Sequence, residues 1–215
     1  MKTNDQFVAD ALQALLPEAK CALDFSSPFQ CLVAVMLSAQ TTDVAVNRVT
    51  PSLFLSFPNA FEMAKASSED VKNIIRSIGL YDNKARNIIA ASKVLVERYN
   101  GDVPSTREEL TSLPGVGIKT ANVVLAECYG VPAIAVDTHV SRVAFRLGYC
   151  KKGEDPVRIE KILERRFPKD LWIRLHHQII WFGRLVCHAK KPECDRCPLQ
   201  SACVYFKKTS SMTGR

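Results

Sequence analysis

Apolar residues recur every three or four positions along almost all of this 215-residue chain, and that spacing admits few architectures. A period of 3.6 gathers them on one stripe of an α-helix, whereas a half-buried strand needs strict alternation. Val8, Ala11, Leu12, Leu15 and Leu16 form the first such stripe, stopped by Pro17. Pro28 opens a second helix, and Phe29 to Leu37 is apolar almost all round, the pattern of a central buried helix. Further helices are expected over about Thr42–Phe57, Asn83–Arg98, Ile118–Tyr129, Thr138–Leu147, Pro156–Phe167 and Asp170–Cys187. Ser67-Ser68-Glu69-Asp70 opens a short one that carries Val71, Ile74, Ile75 and Ile78, and Ser105-Thr106-Arg107-Glu108-Glu109 holds two overlapping capping boxes. Asn100-Gly101 and Gly130 are stop signals. The nearest strand candidate, Ala133 to Val136, is short, so the fold class is all-α. The tail after Cys203 reads as solvated and frayed.

The length fits one large domain or two small ones, and the loop from Gly130 to Asp137 is the one visible boundary. A formal net charge of +7 favours an anionic partner, a nucleic acid or an acidic membrane surface. No apolar run nears the roughly 20 residues that span a bilayer, and the polar start is not a signal peptide. The chain is therefore expected to be cytoplasmic, which argues against disulfides among its eight cysteines. Cys21, Cys31, Cys128 and Cys150 read as reduced, buried, small hydrophobes.

The other four, Cys187, Cys194, Cys197 and Cys203, follow C-x6-C-x2-C-x5-C and can close around one metal centre. Zinc and an iron–sulfur cluster both take four thiolates, and the residues alone leave the two open. Pinning this segment at both ends would hold Lys190 and Lys191, with Arg184 just before them, as a fixed row of cations for a phosphate backbone.

Leu113-Pro114-Gly115-Val116-Gly117-Ile118-Lys119-Thr120-Ala121 reads as a tight turn between two helices. Without side chains at Gly115 and Gly117, backbone amides at the start of the second helix can approach a phosphate. An ordinary glycine-capped connection fits the same residues. Lys119 falls in the first helical turn, where the dipole opposes a cation and favours a neutral, nucleophilic amine. A lysine that simply salts a phosphate would look the same. Asp137 is placed to cap the helix after the Gly130–Asp137 loop, and it is also a carboxylate able to take a proton or stabilise a cationic sugar carbon.

The Leu113–Ala121 run, Val136-Asp137-Thr138-His139-Val140 and the cysteine spacing together resemble the endonuclease III family, helix-hairpin-helix DNA glycosylases that remove oxidised pyrimidines. Leu37-Ser38-Ala39-Gln40-Thr41-Thr42-Asp43 and Gly79-Leu80-Tyr81 are similar to further stretches of that family, in order, over nearly the whole chain. The resemblance implies two helical lobes with a DNA-binding cleft between them. One would be residues 21–131, with the helix-hairpin-helix at about 105–129; the other would be 1–20 plus 132–215 and carry a [4Fe–4S] cluster on the four cysteines. It implies Lys119 as the nucleophile that forms a Schiff base at C1′, and Asp137 as the catalytic carboxylate. Gln40 would fill the space left by an extruded base, Leu80 would wedge the opposite strand, and Gly115, Gly117 and Thr120 would hold the backbone. His139 would border the base pocket or serve the cap region. The implied activity is glycosylase coupled to abasic-site lyase, on double-stranded DNA with damaged bases or abasic sites, by a monomer associated with the nucleoid. A glycosylase without lyase activity and a non-catalytic DNA-binding module are the rivals; Lys119 argues against the first, and Lys119 together with Asp137 against the second.

Overall fold

The computed structural model describes residues 1–213. Every regular element among them is helical, and no strand occurs. The chain separates into two compact units, Ala22–Val131 and Met1–Cys21 together with the chain from Pro132 onward.

Helix α1 (Thr3–Leu15) begins the discontinuous unit. The continuous unit then runs through α2 (Pro28–Leu37), α3 (Asp43–Ser56), α4 (Ala60–Lys65), α5 (Ser68–Ile75), α6 (Tyr81–Tyr99), α7 (Arg107–Ser112) and α8 (Ile118–Tyr129). Its centre is α2, as its all-round apolar sequence requires: every residue from Cys31 to Leu37 is buried, and α3, α6 and α8 pack around it. Each of these Leu and Val side chains taken from water contributes about 1.5–3 kcal/mol. Ser27 sets the entry by accepting from the Gln30 amide (3.2 Å), with Pro28 in the first turn. Of the two overlapping capping boxes, Thr106 and Glu109 are the pair used: the Glu109 amide donates to Thr106 Oγ1 (3.3 Å), whose hydroxyl returns to the Glu109 carboxylate (2.6 Å). Helix α4 was not expected. It is six residues long, less than two turns of pattern between Pro58 and Ser67, yet Asn59 caps it and Ala60 and Met63 are fully buried.

The discontinuous unit adds α9 (Thr138–Arg146), α10 (Pro156–Arg166), α11 (Trp172–Leu185) and α12 (Val204–Thr213), with 3-10 turns at Lys169–Leu171, Cys194–Arg196 and Gln200–Ala202. Val8, Leu12, Val140, Val143, Leu163, Ile179 and Phe182 share its core. Polar side chains tie the N-terminal segment to it. Arg166 donates to both Asp5 oxygens (2.9 and 3.1 Å), Gln178 donates to Gln13 Oε1 (2.8 Å), and the Trp181 indole donates to the Lys20 carbonyl (2.9 Å).

Two expectations need correction. The segment after Cys203 is not frayed: it forms α12, where Thr209 donates its hydroxyl to the Tyr205 and Phe206 carbonyls. Gly214 and Arg215 of that tail lie outside the described residues. No disulfide joins the eight cysteines, all of which lie among the described residues, and of Cys21, Cys31, Cys128 and Cys150 only Cys31 is buried. The other three sit in a loop, a last helical turn and a post-helical segment, where each is only partly covered.

Candidate active site

The hairpin joins α7 to α8 over Leu113–Gly117, with Leu113 and Val116 buried as its floor. Gly115 has φ +75°, and a Cβ there would lie 2.7 Å from Asn87 Cβ on α6, so both conformation and space require glycine. Gly117 is different: a Cβ would meet nothing within 4 Å, so open space is left in front of its backbone. In the Ala22–Val131 unit, α2, α3, α4, α5 and α7 each have a side-chain cap, whereas α6 and α8 have none. Among the described residues, no acceptor is bonded to the amides of Gly115, Gly117, Ile118, Lys119 or Thr120. Unpaired amides at a helix start form an anion site. Lys119 stands exposed in that first turn, with no hydrogen bond or ion pair among the described residues, and Thr120 beside it is half-buried.

Asp137 caps α9. Its Oδ1 accepts from the amides of His139 and Val140, both at 2.8 Å. These two bonds fix the carboxylate and leave Oδ2 without a hydrogen bond among the described residues. His139, half-buried in the first turn of α9, packs so closely on α11 that a Cβ at Gly183 would sit 3.0 Å from its own Cβ. Arg142 Nη2 lies 3.1 Å from His139 Nδ1 and donates to the Gly183 carbonyl (2.8 Å). Burial lowers the imidazole pKa and Arg142 and Arg184 add to that, while Asp137 and a hydrogen bond to the Gly183 backbone oppose it.

Gln40 and Leu80 share a backbone anomaly. Among the described residues, four that are not glycine have positive φ: Gln40 (54°), Leu80 (61°), Asn100 (51°) and Lys191 (51°). Asn100 is an ordinary helix C-cap. The other three were all singled out from the sequence as DNA contacts. For an L-residue this conformation costs about 1–2 kcal/mol. Gln40 is exposed, and Leu80, the uncapped start of α6, exposes 52% of its surface.

Cys187, Cys194, Cys197 and Cys203 line one pocket, whose other walls include Val143, Leu147, Phe182 and Leu199. Burial raises the Cys194 thiol pKa and pushes that of Cys197 up to about 11, with the neighbouring thiols adding to both. Amides of Leu199 and Phe206 point at the sulfurs of Cys197 and Cys203, each at 3.4 Å, and Arg146 Nη1 reaches Cys187 Sγ at 3.1 Å. Donors aimed at sulfur suit thiolates bound to iron, as does the apolar wall. Among the described residues, no three Cys, His, Asp or Glu side chains converge closely enough to hold a single metal ion.

The segment between Cys187 and Cys194 is held by two arginines of α9. Arg142 Nε donates to the Cys187 carbonyl (3.0 Å); Arg146, buried, donates to the carbonyls of His188 (2.7 Å) and Ala189 (3.1 Å). Lys190 and Lys191 are exposed, and Arg184 lies over the Trp181 ring at 5.2 Å. His188 faces Glu193 at 3.5 Å, and Glu193 also pairs with Arg196, so part of the local positive charge is neutralised. Reading the sequence missed Arg142 and Arg146. Their signal was present: two arginines four apart on a strongly amphipathic helix, within the turn of its apolar face.

Lys119 with its hairpin belongs to the Ala22–Val131 unit, as do Gln40 and Leu80; Asp137, His139, Arg184, Lys190, Lys191 and the four cysteines belong to the other. The HhH-GPD superfamily base excision DNA repair protein family matches residues 33–169. Endonuclease III of Bacillus subtilis (strain 168) is 49% identical over 198 residues, 92% of this chain and 90% of that protein. Two solved structures are also similar, each 46% identical: a trapped endonuclease III–DNA covalent intermediate (TM-score 0.92, 97% of this chain and 99% of that one) and a non-covalent endonuclease III–DNA complex (TM-score 0.93, 98% and 100%).

Proposed function

The chain belongs to the HhH-GPD superfamily of base excision DNA repair proteins, and from that premise we propose a bifunctional enzyme that excises oxidised pyrimidines from duplex DNA and cuts the abasic strand. The observation that carries this reading is Lys119: an exposed amine, free of any ion pair among the described residues, in the uncapped first turn of α8 beside the bare Gly115 and Gly117 backbone.

Those amides would seat a phosphate next to the sugar under attack, and bound DNA would exclude water from the amine. The Lys119 nitrogen, in its neutral form, attacks C1′. The glycosidic C–N bond breaks, and the base leaves with its electron pair and gains a proton. Loss of a proton from the nitrogen and opening of the sugar give a protonated Schiff base. Removal of a C2′ proton then expels the 3′ phosphate, which cuts the strand. Asp137, steadied by its two cap bonds, supplies the carboxylate that accepts a proton from the amine and offsets positive charge at C1′. Gln40 and Leu80 enter the duplex and offset part of the cost of extruding the base, a few kcal/mol. His139 contacts DNA near the extruded base, and Lys190, Lys191 and Arg184 contact phosphates. The protein acts as a monomer.

Cys187, Cys194, Cys197 and Cys203 would hold a [4Fe–4S] cluster, a reading supported by the similarity to endonuclease III and by the donors aimed at their sulfurs. When bound, the cluster supplies a rigid anchor for the Lys190–Lys191 segment; the sugar chemistry belongs to the side chains.

Borohydride trapping tests the reading. With a duplex carrying thymine glycol, reduction is expected to give a stable protein–DNA crosslink that Lys119→Gln abolishes, and the same preparation is expected to contain iron and sulfide. Base release without a crosslink would point to a glycosylase lacking lyase chemistry. No release from any damaged duplex would leave a binding protein, and stoichiometric zinc would overturn the cluster.

A further inference from the structure

Lys84 is a lysine that the proposed chemistry does not use, yet it is 6% exposed. Burial lowers its pKa, and an ammonium in such a place needs an acceptor. Nζ donates to Thr41 Oγ1 at 2.5 Å, and the Thr41 hydroxyl donates in turn to the Ala39 carbonyl at 3.3 Å. Ala39 and Thr41 are the two neighbours of Gln40. The same lysine touches Leu80, also left-handed and exposed, through its backbone: the Lys84 amide donates to the Leu80 carbonyl at 3.0 Å, the first bond of α6. One residue, 43 positions from Thr41, therefore holds the flanks of Gln40 with its side chain and the turn of Leu80 with its main chain.

We propose that Lys84 and Thr41 are positioning residues that brace the Gln40 and Leu80 turns as one unit, so that both side chains enter the duplex in register. The inference rests on the reading that Gln40 and Leu80 enter DNA. Two separate turns in a disfavoured backbone conformation would each relax toward an ordinary one and would have to find their geometry again on DNA. A shared strut makes that geometry present beforehand, and the ordering cost is met in folding rather than in binding. Thr41 is suited to the relay because a hydroxyl accepts from the ammonium while donating to the carbonyl.

The test compares two substrates with the full-length, cluster-containing protein: a duplex with a paired oxidised pyrimidine, and a duplex in which the base is already missing. Extrusion costs most for the paired base, so the brace matters most there. Lys84→Met and Thr41→Val are each expected to slow single-turnover excision of the paired lesion about tenfold, the scale of one lost charge-assisted hydrogen bond, and to slow abasic-site incision less than about threefold. The double variant is expected to be no slower than either single one, because both break the same strut. Thr41→Ser, which keeps the hydroxyl, is expected to restore the rate. Gln40→Ala serves as the control for the premise and is expected to show the same selective loss. Equal losses on both substrates, or a Thr41→Ser variant as slow as Thr41→Val, would overturn the brace while Gln40→Ala still behaved as expected. A Gln40→Ala variant with no selective loss would overturn the premise and the brace together. Melting curves of the variants keep a folding defect apart from either outcome.

Discussion

An aspartate that caps a helix is held by geometry before it does any chemistry, and Asp137 is held twice, by the amides of His139 and Val140. That makes its two roles separable. Asparagine caps about as well as aspartate but carries no charge. Asp137→Asn is therefore expected to unfold within about 0.5 kcal/mol of the parent, while single-turnover excision falls by roughly 10²–10⁴, the range for losing a positioned acid–base group. Asp137→Ala should lose the same activity and about 1 kcal/mol of stability besides. Thermal melts beside excision rates check this; an Asp137→Asn variant of full activity would reduce the residue to a cap. The cap itself was legible in the sequence, because capping depends on the next three residues alone. The left-handed backbones of Gln40 and Leu80 were not. A glutamine and a leucine avoid that region on their own, so only packing that no local pattern encodes can keep them there.

Helix α9 shows how one short element gathers several functions. Its start carries Asp137, its first turn His139, and its later turns Arg142 and Arg146, which hold the chain from Cys187 to Ala189. The cysteine segment is thereby fixed to the same rod that aims the carboxylate. From sequence the helix is expected to within one residue, yet its arginines are not singled out, because periodicity reports that a helix is amphipathic and not which long side chains fold back over its buried edge. The same limit hid α4 and α12, one too short for a period and the other too polar. Lys191, exposed and in a left-handed turn, stands at the outer end of this assembly. It is expected to contact a phosphate, which positions DNA without reading it. Lys191→Ala should then weaken binding by the same factor for damaged and undamaged duplex, and reduce the slope of log affinity against log salt by about 0.9. Titrations at several salt concentrations measure both; a loss confined to damaged DNA would place Lys191 in the lesion pocket instead.

At the scale of the molecule, the chain begins in one unit, leaves at Ala22 and returns at Pro132, so the returning segment must recapture its own N-terminal helix. No composition or spacing announces how, because the decisive partners are 161 residues apart. Asp5 is 1% exposed, with both oxygens on Arg166, and that guanidinium also lies over the Tyr149 ring at 4.4 Å. Removing one member of a fully buried pair costs about 3–5 kcal/mol; the Arg166 side chain keeps 30% exposure, so water can reach the orphan and the cost falls to roughly 2–3 kcal/mol. Asp5→Ala is expected to lower stability by that amount. Its effect should also be local, since the pair joins α1 to α10 within one unit. In native-state hydrogen exchange, the amides of α1 and α10 should open more readily in Asp5→Ala, while those of α2 keep their protection. Equal loss of protection in α2 would mean that the chain unfolds as one cooperative block, and that the N-terminal pair supports the hairpin unit as directly as its own.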